Sequence, residues 1–196
     1  ANAARVFYHR GVKVLAISDV SGGLFCKDGL DIDTISVFLE KDGALLKDYD
    51  APGVEHISNA EVLTCKCDVL VPAALENQIT AENAGDLNCS CIVEAANGPT
   101  TEEADAILEK RGITLIPDIF ANSGGVIVSY FEWVQNIQEL TWDRDQVNEM
   151  LEKLMSRSFQ SILDVTEECH CTFRMAAYIV ALRKLVTAEK MKGIFP

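Results

Sequence analysis

Four short stretches collect the side chains with which a protein holds a polar organic ligand. Ser18-Asp19 leads into Val20-Ser21-Gly22-Gly23, and Pro72-Ala73-Ala74 offers small residues that let a flat ligand approach the backbone. Glu94-Ala95-Ala96-Asn97-Gly98-Pro99 supplies a carboxylate and a carboxamide, and Pro117-Asp118 precedes Asn122-Ser123-Gly124-Gly125 at the start of a helical pattern. Each stretch follows an apolar run that reads as a strand. In an open parallel sheet, ligands bind beyond the carboxyl ends of the strands. Any one of these features is weak, because an Asp at a strand end often only caps a helix. Four in succession point to a crevice of nucleotide size.

The elements that must position these residues alternate. Candidate strands are Lys13–Asp19, Asp68–Pro72, Cys91–Glu94 and Thr114–Pro117, apolar nearly throughout as for parallel strands covered on both faces. Ser58-Asn-Ala-Glu61 and Thr100-Thr-Glu-Glu103 have capping-box spacing, so each starts a helix. Thr80 is expected to cap a short helix at 81–86, and Asp31 or Asp33 one running to about Lys41 and closed by Gly43. Beyond Asp118 the pattern becomes helical over Gly124–Glu139, Asp143–Cys169 and Thr172–Lys192, with Gly193 closing the last. Met175, Tyr178, Ile179, Leu182 and Leu185 give that helix an apolar stripe. Strands alternating with helices predict an α/β fold, a doubly wound parallel sheet with a helical C-terminal layer. The expected division is residues 1–125 for the sheet domain and 126–196 for the helical segment.

Composition narrows the function classes. The 196 residues carry 30 acids against 17 Lys and Arg, a formal charge of −13, which argues against binding a nucleic-acid backbone. No apolar run reaches the roughly 18–20 residues that span a bilayer, and Ala1–Arg10 does not read as a signal peptide. No membrane or nucleic-acid partner is expected, and the predicted location is the cytoplasm. Six of the seven cysteines form Cys-x-Cys pairs at 65/67, 89/91 and 169/171. That spacing puts both side chains on one face of a strand, whereas zinc sites favour Cys-x-x-Cys, so no metal is expected.

Asp19 has a specific possible role. A carboxylate ending the second strand of a Rossmann unit accepts hydrogen bonds from the adenosine ribose hydroxyls and disfavours a 2′-phosphate. That role calls for a strand and a Gly-x-Gly-x-x-Gly turn upstream. Ala1–Arg10, closed by Gly11, reads as the helix after such a turn, so the sheet is expected to be Rossmann-like with its first strand and Gly-rich turn absent. Two unpaired edges should then flank the strands at Lys13 and Asp68.

Three longer motifs carry a resemblance. Asp68–Thr80 (DVLVPAALENQIT), Glu94–Thr101 (EAANGPTT) and Asn122–Trp133 (NSGGVIVSYFEW) resemble the C-terminal, cofactor-binding domain of the glutamate, leucine, phenylalanine and valine dehydrogenases, with the microbial glutamate dehydrogenases most similar. The likeness runs through Lys192–Pro196, which looks like a natural carboxyl terminus. It implies binding of NAD or NADP, with NAD preferred on account of Asp19, and the interconversion of L-glutamate with 2-oxoglutarate and ammonium. By that resemblance Asp19 contacts the adenosine ribose, Ala73 and Ala74 line the dinucleotide groove, and Gln78 lies near the adenosine. Asn97 serves the nicotinamide ribose, and Asn122 stands beside the nicotinamide and the substrate amino group. Ser129 binds the substrate side-chain carboxylate, where relatives acting on aliphatic substrates carry an apolar residue.

The family's catalytic lysines and aspartate belong to an N-terminal catalytic domain that these 196 residues do not contain. No catalytic residue is therefore assigned here, and the chain is expected to be inactive alone, as part of an enzyme that forms a homo-hexamer. The alternative is a non-catalytic nucleotide-binding or partner-subunit module derived from an amino-acid dehydrogenase. A receiver-type phosphoacceptor domain fits less well, since Asp118 closes the last strand where such a domain needs a lysine.

Overall fold

The structure, a computed structural model, describes residues 2–193. Ala1 of the first expected helix and residues 194–196 of the expected natural terminus lie outside the described residues. The chain forms two compact units, one comprising residues up to Asp68 with Asp86–Cys89, the other Val69–Gly85 with the chain from Ser90 onward.

The first unit opens with α1 (Asn2–His9), followed by Gly11 at φ +77°. Strands β1 (Ala16–Asp19) and β2 (Gly22–Phe25) pair antiparallel in a register running from Ala16↔Phe25 to Asp19↔Gly22. β3 (Glu55–Ile57) adds to β2, also antiparallel. The first strand was expected in a parallel sheet and is instead one arm of a hairpin. The reason is local: Asp19 accepts the Ser21 N–H at 2.7 Å, and Gly22 takes φ +133°, a backbone that side chains rarely allow. Gly23 is also required, because a Cβ there would stand 2.3 Å from Val62 Cγ2 of α3 (Asn59–Thr64). Asp31, rather than Asp33, caps α2 (Ile32–Leu39) by accepting the Thr34 N–H. Leu24, Leu30, Ile32, Ile35 and Leu46 are buried together as this unit's core.

The second unit holds a parallel sheet in the order β4 (Val69–Leu70), β5 (Cys91–Val93), β6 (Thr114–Ile116). Val69↔Cys91↔Thr114 and Leu70↔Ile92↔Leu115 are in register. Among the described residues β1 pairs only with β2 and β4 only with β5, so both are edge strands, as expected. Helix α4 (Glu102–Lys110) starts one residue later than its predicted capping box. Thr101 caps it, while Thr100 bridges Ile79 in parallel fashion. The helix expected at 81–86 is a run of turns, because Asn83 Oδ1 accepts the Thr80 N–H and its Nδ2 donates to the Gln78 carbonyl. Side-chain bonds of this kind compete with helix formation.

The remaining helices are α5 (Asp118–Ala121), α6 (Gly124–Gln138), α7 (Arg144–Cys169) and α8 (Phe173–Lys192). Their starts follow the sequence: Asp143 and Gln146 complete a capping box for α7, and Thr172 caps α8. Ile162, Val165, Ala176 and Ala177 form the α7–α8 core. Helix α8 packs on β6 and α5, so the segment after residue 125 shares a unit with the parallel sheet. The result is a mixed α/β fold with a parallel sheet and a helical C-terminal layer. No described helix is long and apolar enough to cross a membrane.

Candidate functional site

The loops after β4 and β5 are tied to one another by backbone bonds, and the loop after β6 joins them through side chains. The Pro72 carbonyl accepts the N–H groups of both Ala95 (3.0 Å) and Ala96 (2.9 Å). Asn77 donates to the Gly98 carbonyl at 2.9 Å and Ile79 to the Pro99 carbonyl at 2.8 Å. Segment 72–79 therefore lies along segment 95–99 at the carboxyl ends of parallel strands, where a doubly wound fold receives ligands. Ala73 and Ala74 are exposed on it, and half-buried Gln78 bonds its own loop through the Glu76 carbonyl.

Asn97 and Asn122 meet at the centre of this region. Asn122 Nδ2 donates to Asn97 Oδ1 at 2.7 Å and to the Ala96 carbonyl at 3.3 Å. Both amide hydrogens of Asn122 are thus engaged, and its Oδ1 accepts no bond among the described residues; nor does the Asn97 amide nitrogen donate one. An open acceptor beside an open donor is the complement of a primary carboxamide. Ser129 lies in the second turn of α6 and is exposed.

Below this pair is an ion network that the sequence reading did not identify. Glu94 has no exposed surface, yet its carboxylate accepts two bonds from Arg174 of α8, at 2.9 and 3.0 Å. Arg174 also donates through Nε and Nη2 to Asp105 of α4, and its Nη1 stands 3.6 Å from Asp118 Oδ1. Burial alone would lower the guanidinium pKa, but the hydrogen bonds and charges of Glu94 and Asp105 outweigh it and raise the pKa further. Glu94 and Asp118 stood out in the sequence as strand-end acids. Arg174 was lost among the apolar stripe of its helix, and a charged residue beside that stripe was the available signal.

Asp19 belongs to the first unit. Its Oδ1 accepts the Ser21 N–H at 2.7 Å and hydroxyl at 2.5 Å, and its Oδ2 accepts the Leu46 N–H at 2.9 Å. Burial pushes its pKa upward, but these hydrogen bonds and nearby Lys47 prevail and hold it below the ordinary carboxylate value. A carboxylate accepts about four hydrogen bonds, so with three made among the described residues one position on Oδ2 stays open.

The cysteine pairs do not lie on strand faces. Only Cys91 is in a strand; Cys65 caps α3, Cys89 precedes β5, and Cys169 and Cys171 flank the α7–α8 turn. Burial, and then the proximity of Cys89 and Cys65, pushes the Cys67 thiol up to about 11, which keeps it protonated at neutral pH. Among the described residues, no three His, Cys, Asp or Glu side chains are grouped to hold a metal ion.

Comparison with known proteins gives a consistent answer. The family model described as Glutamate/Leucine/Phenylalanine/Valine dehydrogenase matches residues 1–193. A glutamate dehydrogenase from Thermotoga maritima is 46% identical over 186 residues, 95% of this chain and 44% of that protein. A cryptic catabolic NAD-specific glutamate dehydrogenase, GudB, from Bacillus subtilis is 45% identical over 190 residues, 97% of this chain and 44% of its own length. Among solved structures, the hetero-hexameric glutamate dehydrogenase from Thermus thermophilus, in its Leu-bound form, superposes with a TM-score of 0.87 at 30% identity, over 98% of this chain and 45% of that one. The chain thus spans about 44% of the length of the curated relatives it matches.

Proposed function

Because the chain belongs to the glutamate/leucine/phenylalanine/valine dehydrogenase family, we propose that it is the cofactor-binding portion of a glutamate dehydrogenase acting with NAD in preference to NADP. The observation that carries this reading is the Asn97–Asn122 pair, an acceptor beside a donor on a shelf made by three strand-end loops. The reaction would convert L-glutamate and water to 2-oxoglutarate and ammonium. The nicotinamide, when bound, takes up the hydride from the substrate α-carbon; the protein's part is to orient the two and exclude water.

Within that reading the residues divide the work. Asn122 Oδ1 accepts from the carboxamide or from the substrate amino group, and the Asn97 amide donates toward the nicotinamide ribose. Ala73 and Ala74 leave room for the dinucleotide against the backbone, and Gln78 stands by the adenosine. Asp19 offers its remaining acceptor position to a ribose hydroxyl, and its low pKa keeps it charged against a 2′-phosphate. Ser129 donates to the side-chain carboxylate of glutamate, a contact that an apolar substrate would leave unmade. Proton transfer is assigned to residues of the N-terminal catalytic domain expected to complete the subunit. The full enzyme would be cytoplasmic and a homo-oligomer; six subunits per assembly is the number printed for the hetero-hexameric relative in Thermus thermophilus.

Calorimetric titration of the protein with NAD and with NADP tests the reading. NAD should bind the more tightly, and Asn122→Ala should weaken it about tenfold or more. Absence of heat with either nucleotide would leave only the non-catalytic partner module.

A further inference from the structure

We propose that Arg174 is a positioning residue for the Asn97–Asn122 pair, so that a side chain on α8 sets the geometry of cofactor and substrate without touching either. The inference rests on the dehydrogenase reading above.

The connection is a series of charged hydrogen bonds. Arg174 grips both oxygens of Glu94 from 80 positions away in the sequence. Glu94 Oε2 in turn accepts the N–H of Asp118 at 2.9 Å, which fixes the first residue of α5. Asp118 Oδ2 accepts the N–H of Gly98 at 2.8 Å, which fixes the residue after Asn97. Helix α5 is one turn long and ends with Asn122 as its C-cap. Its start is thus held by Glu94 and its end carries the carboxamide that reaches Asn97 at 2.7 Å. Asp105 holds the guanidinium from the side of α4. The same arginine therefore sets both the loop bearing Asn97 and the helix bearing Asn122.

The chemistry requires arginine. A planar fork can give two parallel bonds to Glu94 while its Nε serves a second carboxylate, which a lysine ammonium cannot reproduce. Arg174→Lys keeps the charge and loses the fork. Glu94 then remains paired, but nothing sets the orientation in which its Oε2 meets the Asp118 N–H.

The test is a double-mutant cycle in the full-length subunit that carries this chain, with rates normalised to folded active sites. Arg174→Lys should lower kcat/KM for glutamate about tenfold in the otherwise unaltered enzyme, and less than about twofold in the Asn122→Ala background. Equal losses in the two backgrounds would overturn the proposal, since a merely structural role gives additive effects. A crystal structure of Arg174→Lys should show Asn122 Nδ2 and Asn97 Oδ1 separated beyond about 3.5 Å. Retention of that contact would also overturn it. Should Arg174→Lys not fold, the Arg174→Gln/Glu94→Gln pair removes both charges together and is read the same way. If the unaltered enzyme forms no NADH from glutamate, the dehydrogenase reading fails by itself, and the structural readout still decides the role of Arg174.

Discussion

The two units hold their strand-end acids in opposite ways. In the first, Asp19 is satisfied by its own neighbourhood: two of its three bonds come from Ser21, two residues away, and the hairpin closes around them. In the second, Glu94 is satisfied by an arginine 80 residues distant, and its remaining bond fixes a helix 24 residues on. A locally satisfied acid fixes a turn. A remotely satisfied one fixes the relation between loops, which is what a site built from several strand ends needs.

Breaking the remote network should cost the most. Glu94→Ala takes from Arg174 one of the two carboxylates it grips, frees the Asp118 N–H and empties a fully buried position, and a loss of about 3–5 kcal/mol is expected, read by urea denaturation followed through tryptophan fluorescence. A loss below about 1 kcal/mol would erase the contrast between the units. Next comes packing in the first unit, where Gly23→Ala drives a methyl against Val62 and should cost ~1–3 kcal/mol in the same assay. Asp19→Asn should have the smallest effect, about 1 kcal/mol at neutral pH, since its carboxylate is half-exposed. The sign with pH is defined: a carboxylate whose pKa is lowered on folding stabilises above its unfolded value near 4. That contribution disappears as the pH falls through the folded pKa. The difference between Asp19→Asn and the unaltered protein should therefore narrow as the pH falls below about 4; a gap that does not narrow there would mean that the charge is not what Asp19 contributes.

Legibility followed the same division. The capping boxes at Ser58/Glu61 and Asp143/Gln146 and the caps at Asp31 and Thr172 stand where residue types place them, because a cap involves residues within one turn. The box at Thr100 shifted by one because Thr100 is drawn into the bridge with Ile79, a partner 21 positions away, leaving Thr101 to cap. Strand β2 escaped notice because Gly22-Gly23 reads as loop, and β3 because Glu55-His56-Ile57 holds a single apolar residue where the other short strands are apolar runs. Arg174 escaped notice because nothing near it in the chain is its partner.

The amino-acid order alone determined the long helices, the caps at Asp31, Ser58, Asp143 and Thr172, the parallel strands at Cys91 and Thr114, and which loops carry amides and acids. These are properties of neighbours, fixed by backbone preference and short-range hydrogen bonding. Only the tertiary structure decided that the first strand would fold back on Gly22–Phe25, that Asn97 would meet Asn122, and that one arginine would bind Glu94 and Asp105 together. Those outcomes depend on groups separated by tens of residues, and a buried charge accepts whichever distant partner the packed chain delivers.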